Sequence, residues 1–236
     1  MSIEQQLAAL RERAPEKVES GVMLGTGLIE GFHIYESPVG MVSVSFNPTG
    51  VTSVRLGTDE TRIEAEPPKA WGRRIPEALE RGTPGKLPLD LSRVTEFRRS
   101  VLIAASDIPR GEVRPYAWLA TRIGNPRANR AVGSAMAANP VPLIIPCHRV
   151  VRSDGHLGAY SLGHTGNKRI LLENEGLSVD YLEDLADRGI RYLGHEDHYC
   201  LPSCGTDMSN VDFEFRTRDE AEKAGLRPCD DCVPVS

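Results

Sequence analysis

Cysteines and long apolar runs are both scarce in this chain, and each scarcity excludes some classes of protein. The 236 residues include five cysteines, and Cys147 is the only one among the first 199. No run of 18 apolar residues occurs, so we expect no membrane-spanning helix. The first residues lack the cationic and apolar segments of a secretory signal, which favours a cytoplasmic protein. In a reducing cytoplasm, cysteines serve catalysis or metal binding more often than disulfides.

Charges of both signs are present but unevenly distributed. Residues 90–176 carry 12 basic and 7 acidic side chains, and 11 of the basic ones are arginines. Residues 177–236 carry 6 basic and 14 acidic side chains, so this tail is strongly acidic. An arginine-rich segment is typical of a nucleic-acid-binding face. An ordinary solvated surface could have the same composition, and charge alone does not separate the two.

The hydrophobic pattern of the first part predicts a small sheet. Alternating apolar residues, broken by turns rich in Pro and Gly, predict antiparallel strands at 33–35, 41–46 and 51–56. A helix is expected near 75–81. Because Gly and Pro are frequent just after it, we expect a domain boundary near residue 88.

A helical period replaces the alternation over residues 90–140. We expect one helix over 94–105 and a short second helix over 116–123. Asn125-Pro126 is expected to begin a third helix as its N-cap and first helical position. Short helices joined by a tight turn favour a helix-turn-helix of winged-helix-like type. A helical hairpin inside a core is the alternative, and this region alone does not decide between them.

A reactive thiol is the strongest chemical signal in the chain. Cys147 follows an apolar run at 141–145 and directly precedes His148 and Arg149. A free thiol is mostly protonated at pH 7, and neighbouring cationic or hydrogen-bonding groups are the usual means of activating it. The pattern therefore favours a nucleophilic cysteine over a small buried hydrophobe.

Five further motifs accompany Pro146-Cys147-His148-Arg149. They are Tyr116, Asn125-Pro126-Arg127-Ala128-Asn129-Arg130-Ala131-Val132-Gly133, Asn139-Pro140-Val141-Pro142, Gly158-Ala159-Tyr160-Ser161 and Lys168-Arg169-Ile170-Leu171-Leu172-Glu173-Asn174-Glu175-Gly176. In this order the motifs resemble the O6-alkylguanine-DNA alkyltransferases. The resemblance covers residues 90–177 strongly. It implies an α+β protein with a ribonuclease-H-like domain at 1–88 and a DNA-binding, catalytic domain at 89–178.

The resemblance implies DNA repair by direct, irreversible transfer of the alkyl group from O6-alkylguanine to Cys147. No cofactor takes part in the transfer, and O4-alkylthymine is a further candidate substrate. His148 would deprotonate Cys147 through a water, and Glu175 would orient that histidine. Tyr116 would donate a hydrogen bond or a proton to the guanine leaving group. Asn139 would hold the turn that presents the thiol.

The resemblance also implies that the partner is double-stranded DNA, with the target base rotated out of the stack. Arg130 would fill the vacated place, and the small side chains of the third helix would let that helix enter the minor groove. The implied DNA-binding residues are Arg127, Arg130, Ala131, Gly133 and Ser134. The implied walls of the substrate pocket are Met136, Pro142, Val150, Tyr160 and Ser161.

The acidic tail has the cysteine spacing of a structural zinc site. Cys200 and Cys204 form a C-x3-C pair, and 24 residues separate them from the C-x2-C pair of Cys229 and Cys232. Two close thiol pairs fill the tetrahedral shell that Zn²⁺ prefers. We therefore expect a four-cysteine zinc module at 190–236.

This tail resembles the metal-binding module of the bacterial Ada repair protein, whose first ligand cysteine accepts a methyl group from a methylated DNA phosphate. Cys200 occupies that position. Leu201 stands where the family commonly has Arg, and Asp230 and Asp231 stand where basic residues are usual. The module also follows the alkyltransferase domain instead of preceding it. We therefore favour a structural or protein-contacting zinc module over a second methyl acceptor.

The sequence as a whole predicts a single-turnover DNA repair methyltransferase. It is expected to act as a monomer in the cytoplasm, in association with the nucleoid, and to offer the zinc module to a protein partner. Two other classes stay open at this point. One is a non-enzymatic DNA-binding sensor of alkylation, with Cys200 as a second acceptor for methylphosphotriesters. The other is a Cys–His hydrolase, which would turn over repeatedly.

Overall fold

The computed structural model describes residues 16–204 and 211–232. The first 15 residues of the predicted N-terminal domain lie outside this range, as do residues 205–210 and 233–236 of the predicted zinc module. Helices and small sheets alternate along the described chain. The predicted α+β class is therefore confirmed. None of the described helices is long and apolar enough to cross a membrane.

The N-terminal part is a four-stranded sheet in the order β3-β2-β1-β4. Its elements are α1 (Glu16–Gly25), β1 (Gly31–Ser37), β2 (Gly40–Phe46), β3 (Val51–Leu56), β4 (Ile63–Glu64) and α2 (Arg74–Arg81). Strands β1 to β3 are antiparallel, as the alternation predicts, and β4 pairs parallel with β1. Val44 lies opposite His33 on one side and Val54 on the other. It is fully buried, because β2 is a central strand.

One cluster of buried side chains joins this sheet to the helices that follow it, α3 (Glu96–Ser106), α4 (Tyr116–Arg122) and α5 (Asn129–Ala137). The cluster includes Phe46, Ile75, Leu102, Ile144 and Cys147. Burial of apolar surface is the dominant stabilising term in such a core. Cys147 is therefore held by the main core of the molecule and not by a surface loop.

Helices α4 and α5 form the predicted helix-turn-helix, but α5 begins later than predicted. Its first residue is Asn129, so the expected start at Asn125-Pro126 is wrong. The reason is that Asn125 completes the end of α4: its N–H donates to the Ala120 carbonyl, and Gly124 adopts a φ of 72°. Because Asn125 belongs to this left-handed C-terminal motif of α4, it does not act as the N-cap of α5.

The C-terminal part begins at the thiol motif. A 3-10 turn (Cys147–Arg149) leads into β6 (Val150–Val151), which pairs with β5 (Arg114–Pro115) and is followed by α6 (Thr165–Asn174) and α7 (Val179–Asp187). A second sheet has the order β10-β8-β7-β9. Its elements are β7 (Tyr192–His195), β8 (His198–Cys200), β9 (Phe213–Phe215), α8 (Arg218–Lys223) and β10 (Arg227–Pro228).

Candidate active site, DNA-binding face and metal centre

Asn139 holds the segment that carries the candidate nucleophile. Its side-chain amide donates to the Ile145 carbonyl at 2.9 Å, and its Oδ1 accepts from the Val141 N–H at 3.1 Å. The Cys147 N–H in turn donates to the same Ile145 carbonyl at 2.8 Å. Leu143, inside this segment, has a φ of 71°, a conformation that non-glycine residues rarely adopt. The buried side chain of Asn139 therefore holds a strained backbone segment, and this segment ends at Cys147.

His148 and Glu175 form a buried hydrogen-bonded pair. His148 Nε2 lies 2.8 Å from Glu175 Oε1. Burial alone would raise the pKa of Glu175, but the hydrogen bonds from His148 and Arg149 hold it at about 2. Burial lowers the pKa of His148, although Glu175 opposes this. A neutral imidazole beside a carboxylate donates from Nε2, so Nδ1 keeps its lone pair. Among the described residues, this buried Nδ1 has no hydrogen-bond partner.

The Cys147 thiol is 6% exposed. Burial raises its pKa, while Asn139, Ser161 and the charge of Lys168 act in the opposite direction. Its Sγ lies 3.8 Å from the Ser161 hydroxyl. The resting group is therefore a thiol that needs a base, because burial disfavours the anion.

Two tyrosines lie close to the thiol. Burial and the neighbouring charge of Cys147 raise the pKa of Tyr116. Burial, followed by the charges of Cys147 and Glu175, raises the pKa of Tyr160 far above its ordinary value. The Tyr160 ring packs edge-on against His148 with centroids 6.3 Å apart. Both phenols therefore keep their protons at neutral pH and can act as hydrogen-bond donors.

A cleft of about 530 Å³ lies between β3 and the end of α5, and it is lined by Ser161, whose hydroxyl contacts the Cys147 sulfur. Asn139, Pro142 and Ser161, which the sequence assigns to the site, are among its lining residues. Met136 and Val150, assigned to the same pocket, are buried in the main core and do not line this cleft. The structure therefore brings Asn139, Pro142 and Ser161 to one opening.

Arg149 and Lys168 are buried cations at the site, and neither was assigned a role in the reaction from the sequence. Lys168 Nζ donates to the carbonyls of Val150 at 2.5 Å and Leu157 at 2.6 Å, and burial lowers its pKa to about 8. Arg149 contacts both oxygens of Glu175. For Arg149, the sequence signal that could have indicated a role is a charged residue next to a nucleophile and inside an apolar stretch. For Lys168, the available signal is its place in a motif of the family.

Arg149 also connects the catalytic segment to the N-terminal part. Its guanidinium donates to the carbonyls of Ile108 at 2.8 Å, Arg81 at 2.7 Å and Gly82 at 3.1 Å. Gly82 ends α2 in the left-handed conformation with a φ of 62°, and a Cβ there would collide with the guanidinium. Glycine is thus required at this position both for its backbone conformation and for the close approach of Arg149.

The predicted DNA-binding residues share the outer surface of the helix-turn-helix. Arg127, Arg130, Ala131 and Ser134 are exposed, whereas Val132, on the opposite side of α5, is fully buried. Gly133 is partly exposed, and a Cβ there would contact nothing within 4 Å. This face therefore combines two exposed arginines with small side chains, which permits close approach to a groove.

The four tail cysteines meet at one point and fit a zinc ion. Their sulfur atoms all lie within 4.8 Å of one another, and all four residues are buried. Cys204 and Cys229 have their Sγ atoms 3.9 Å apart. Tetrahedral ligands at a Zn–S distance of about 2.3 Å would be separated by about 3.8 Å. Such a shell needs no further ligand, so His195 and His198 are not required for it.

Two family models match the chain in the regions just described. A model described as the DNA-binding domain of 6-O-methylguanine DNA methyltransferase matches residues 96–177, and one described as the metal-binding domain of Ada matches residues 195–235. The methylated-DNA–protein-cysteine methyltransferase of Methanosarcina acetivorans is 37% identical over 155 residues, which are 61% of this chain and 97% of that relative. The chain belongs to this methyltransferase family.

Other relatives support the assignment. The mouse methylated-DNA–protein-cysteine methyltransferase is 37% identical over 171 residues, covering 62% of this chain and 81% of the relative. The bifunctional transcriptional activator/DNA repair enzyme Ada of Escherichia coli is 35% identical over 170 residues, covering 64% of this chain and 48% of Ada. A crystal structure of Mycobacterium tuberculosis OGT in complex with DNA superposes with a TM-score of 0.52 at 32% identity, covering 64% of this chain and 98% of that one.

Family membership confirms several predictions made from the sequence. The predicted methyltransferase function is confirmed by relatives of that name, and DNA as the partner is supported by the matching DNA-binding model. The zinc module is confirmed by its own family model together with the geometry of the four cysteines. The sensor alternative is not favoured.

We expect the buried His148–Glu175 pair to make this methyltransferase sensitive to acid. The pKa of Glu175 falls from 4.5 to about 2 on folding, so its contribution is present above pH 4.5 and is lost as the pH falls towards 2. The shift corresponds to about 3 kcal/mol. The pKa of His148 is also lowered from 6.5, which adds a loss of stability below that pH.

Urea unfolding measured between pH 7 and pH 2 tests this. The advantage of the wild type over Glu175→Gln should shrink by about 3 kcal/mol as the pH falls. Glu173→Gln is the matched control, because Glu173 lies two residues earlier and is exposed. Its curve should run parallel to that of the wild type. Parallel curves for Glu175→Gln as well would contradict the assigned ionisation.

Proposed function

We propose that the protein repairs DNA by transferring the alkyl group of O6-alkylguanine, once per chain, to Sγ of Cys147. The observation that supports this best is the buried His148–Glu175 pair, in which Nε2 is committed to the carboxylate and Nδ1 keeps a lone pair. A neutral imidazole in that tautomer can accept the thiol proton through a water.

The reaction balances with the groups at hand. The thiol proton passes to His148, Sγ forms a bond to the alkyl carbon, and the bond from that carbon to guanine O6 breaks. The electron pair of this bond goes to guanine, which takes up one proton in place of the alkyl group. Tyr116, whose raised pKa keeps its phenol protonated, donates a hydrogen bond to the leaving base. Because a thioether is a poor leaving group, Cys147 is not regenerated.

The zinc ion supplies structure when bound, not chemistry for this transfer. Cys200, Cys204, Cys229 and Cys232 hold it. Cys200 is fully buried, and Asp230 and Asp231 line a cleft beside Cys204. Burial and negative charge both oppose approach of a methylated phosphate to these sulfurs. We therefore propose that the module has a structural or protein-contacting role. We also propose that the protein is monomeric and cytoplasmic and that it associates with the nucleoid.

Recognition of the lesion requires that the base leave the duplex, which costs a few kcal/mol. We assign Arg130 to the vacated place in the stack, because it is exposed near the start of α5 between small neighbours. Arg127 and the other exposed arginines contact phosphates, which should make binding salt-dependent. The adjoining cleft of about 530 Å³ would receive the extruded base. O4-alkylthymine, which presents a similar alkylated oxygen, is a further candidate substrate.

Arg130→Ala should slow repair of O6-methylguanine in duplex DNA about a hundredfold and leave the reaction with free O6-benzylguanine within about twofold, because the free base needs no flipping. Arg127→Ala is the comparison variant. Its defect should be one of binding, which saturating DNA removes. Single-turnover rates at saturating DNA separate the two, and equal losses of Arg130→Ala on both substrates would refute the assigned role.

Single-turnover stoichiometry tests the proposed function itself. Excess duplex DNA carrying O6-methylguanine should yield one restored guanine per chain, after which the reaction stops. A Cys–His hydrolase would instead turn over repeatedly on a small ester. Binding of the damaged DNA without any restored guanine would indicate a sensor and overturn the proposal.

A further inference from the structure

A hydroxyl group of the zinc module contacts the backbone of the catalytic domain. Ser203 lies between the ligands Cys200 and Cys204. Its Oγ donates to the Val113 carbonyl at 2.9 Å and accepts from the Val113 N–H at 2.8 Å. Both residues are buried. One side chain of the module therefore bonds to both backbone groups of one catalytic-domain residue, and the carbonyl also accepts from Arg114 Nη1 at 3.0 Å.

The loop that presents Ser203 is ordered by the metal-binding residues. The Cys204 N–H donates to the Leu201 carbonyl at 2.9 Å, closing a turn around Ser203. The Leu201 N–H donates to the Cys232 sulfur at 3.1 Å. Because these contacts join the two cysteine pairs, the position of the hydroxyl depends on the assembled four-cysteine centre.

Val113 belongs to a short segment that reaches three parts of the active site. The Gly111 N–H donates to Glu175 Oε2 at 3.3 Å. Arg114 and Pro115 pair with Val150 and Val151, the strand directly after the Cys147–Arg149 turn. Tyr116 is the next residue along the chain. We call residues 111–116 the strap. A displacement of the strap would therefore move the groups that orient His148 and contact the leaving base.

Val113 packs in a buried cluster with Val151 and Leu182, whereas the space between this cluster and the zinc module is only partly filled, so the Ser203 hydrogen bonds contribute to the alignment. An apolar cavity of about 250 Å³ lies on one side, lined by Val113, Leu182 and Leu201 among others. An open cleft lies on the other side, between Trp118 and the Cys204–Asp230 end of the module. Side chains that face cavities constrain their neighbours less than close-packed ones.

We propose that Ser203 is a positioning residue for alkyl transfer and that the zinc module braces the active site through the strap. This inference rests on the proposed function, since it concerns the rate at which Cys147 is alkylated. The acidic module does not need to touch DNA in this role. Its contribution is to hold Val113, and through it Glu175 and Tyr116, in the arrangement that the transfer requires.

The test uses full-length, zinc-loaded protein and free O6-benzylguanine, so that DNA binding does not enter. Ser203→Ala should lower the transfer rate about tenfold, the size expected when a supporting contact is lost. Its pH–rate profile should move to more alkaline pH, because His148 is less well oriented. Ser203→Thr, which keeps the hydroxyl, should restore most of the rate and the profile.

Thr217→Ala is the matched control within the same module. Thr217 caps α8 by accepting from the Glu220 N–H at 3.2 Å, far from the strap in the chain. Its loss weakens the module without removing the contact to Val113, so the rate and pH profile should stay those of the wild type. Bound zinc per chain is measured for every variant.

A wild-type rate and pH profile for Ser203→Ala at full zinc content would overturn the proposal. If Ser203→Ala fails to fold or loses its metal, chelation of the wild-type protein takes its place. Transfer that slows on chelation and recovers when Zn²⁺ is added back supports the brace, and an unchanged rate overturns it. Failure of the proposed function gives a different result, since the wild type itself would then transfer nothing to Cys147.

Discussion

Cys147→Ala is expected to abolish alkyl transfer completely while leaving affinity for duplex DNA within about twofold. The sulfur is the only group in this site assigned to accept the alkyl carbon, whereas His148 Nδ1 is assigned to accept the thiol proton. The proposed DNA-binding residues are exposed in and next to α5 and do not include Cys147, so binding should persist. Restored guanine is measured by chromatography of the DNA digest, and affinity by titration.

Cys147→Ser is the matched control for this prediction. Its hydroxyl has nearly the same size as the thiol, so it tests whether loss of activity follows from chemistry or from a packing defect. A serine hydroxyl is much less acidic, and we expect it to be inactive too while the fold is kept. Measurable transfer by Cys147→Ala would show that another residue is the acceptor.

Arg149→Met should destabilise the protein by about 3–5 kcal/mol, the cost typical of breaking a buried ion pair by removing one partner. The substitution would leave the Glu175 carboxylate buried without its main counter-charge. It would also leave the carbonyls of Arg81, Gly82 and Ile108 without this donor. Arg81 and Gly82 belong to the N-terminal part, and Ile108 lies just after α3. The contact between the N-terminal part and the catalytic segment should therefore loosen first.

Urea unfolding at pH 7 measures the effect. Arg152→Met is the control, since Arg152 is an exposed arginine of the same segment that pairs with Asp154 at 2.5 Å. Exposed pairs contribute at most about 1 kcal/mol, so this variant should unfold close to the wild type. Equal midpoints for both variants would show that the buried network does not stabilise the fold.

Local patterns in the sequence predicted most of the elements. The alternation at 41–46 and 51–56 appears as β2 and β3, since side chains in a strand alternate between faces. The spacing of the cysteines predicted the metal centre, because a tetrahedral ion needs four ligands and two close pairs supply them. The start of α5 was predicted wrongly, since Asn125 can end one helix or begin the next and only the fold decides which.

Contacts between distant parts of the chain could not be predicted in this way. Arg149 bonds to Gly82 across 67 residues, and Ser203 bonds to Val113 across 90. Neither pairing leaves a periodic signal, because each depends on how separate elements pack. An isolated serine between two cysteines is chemically ordinary in the sequence. It becomes informative only when both backbone groups of a buried valine are found on its hydroxyl.

Peptide mass spectrometry after incubation with duplex DNA methylated only at guanine O6 identifies the residue that accepts the methyl group. We expect one added methyl group per chain, located on the peptide that contains Cys147, and none on the peptide that contains Cys200. A methyl group on any other residue, or none at all on Cys147 after the DNA has been repaired, would contradict this expectation.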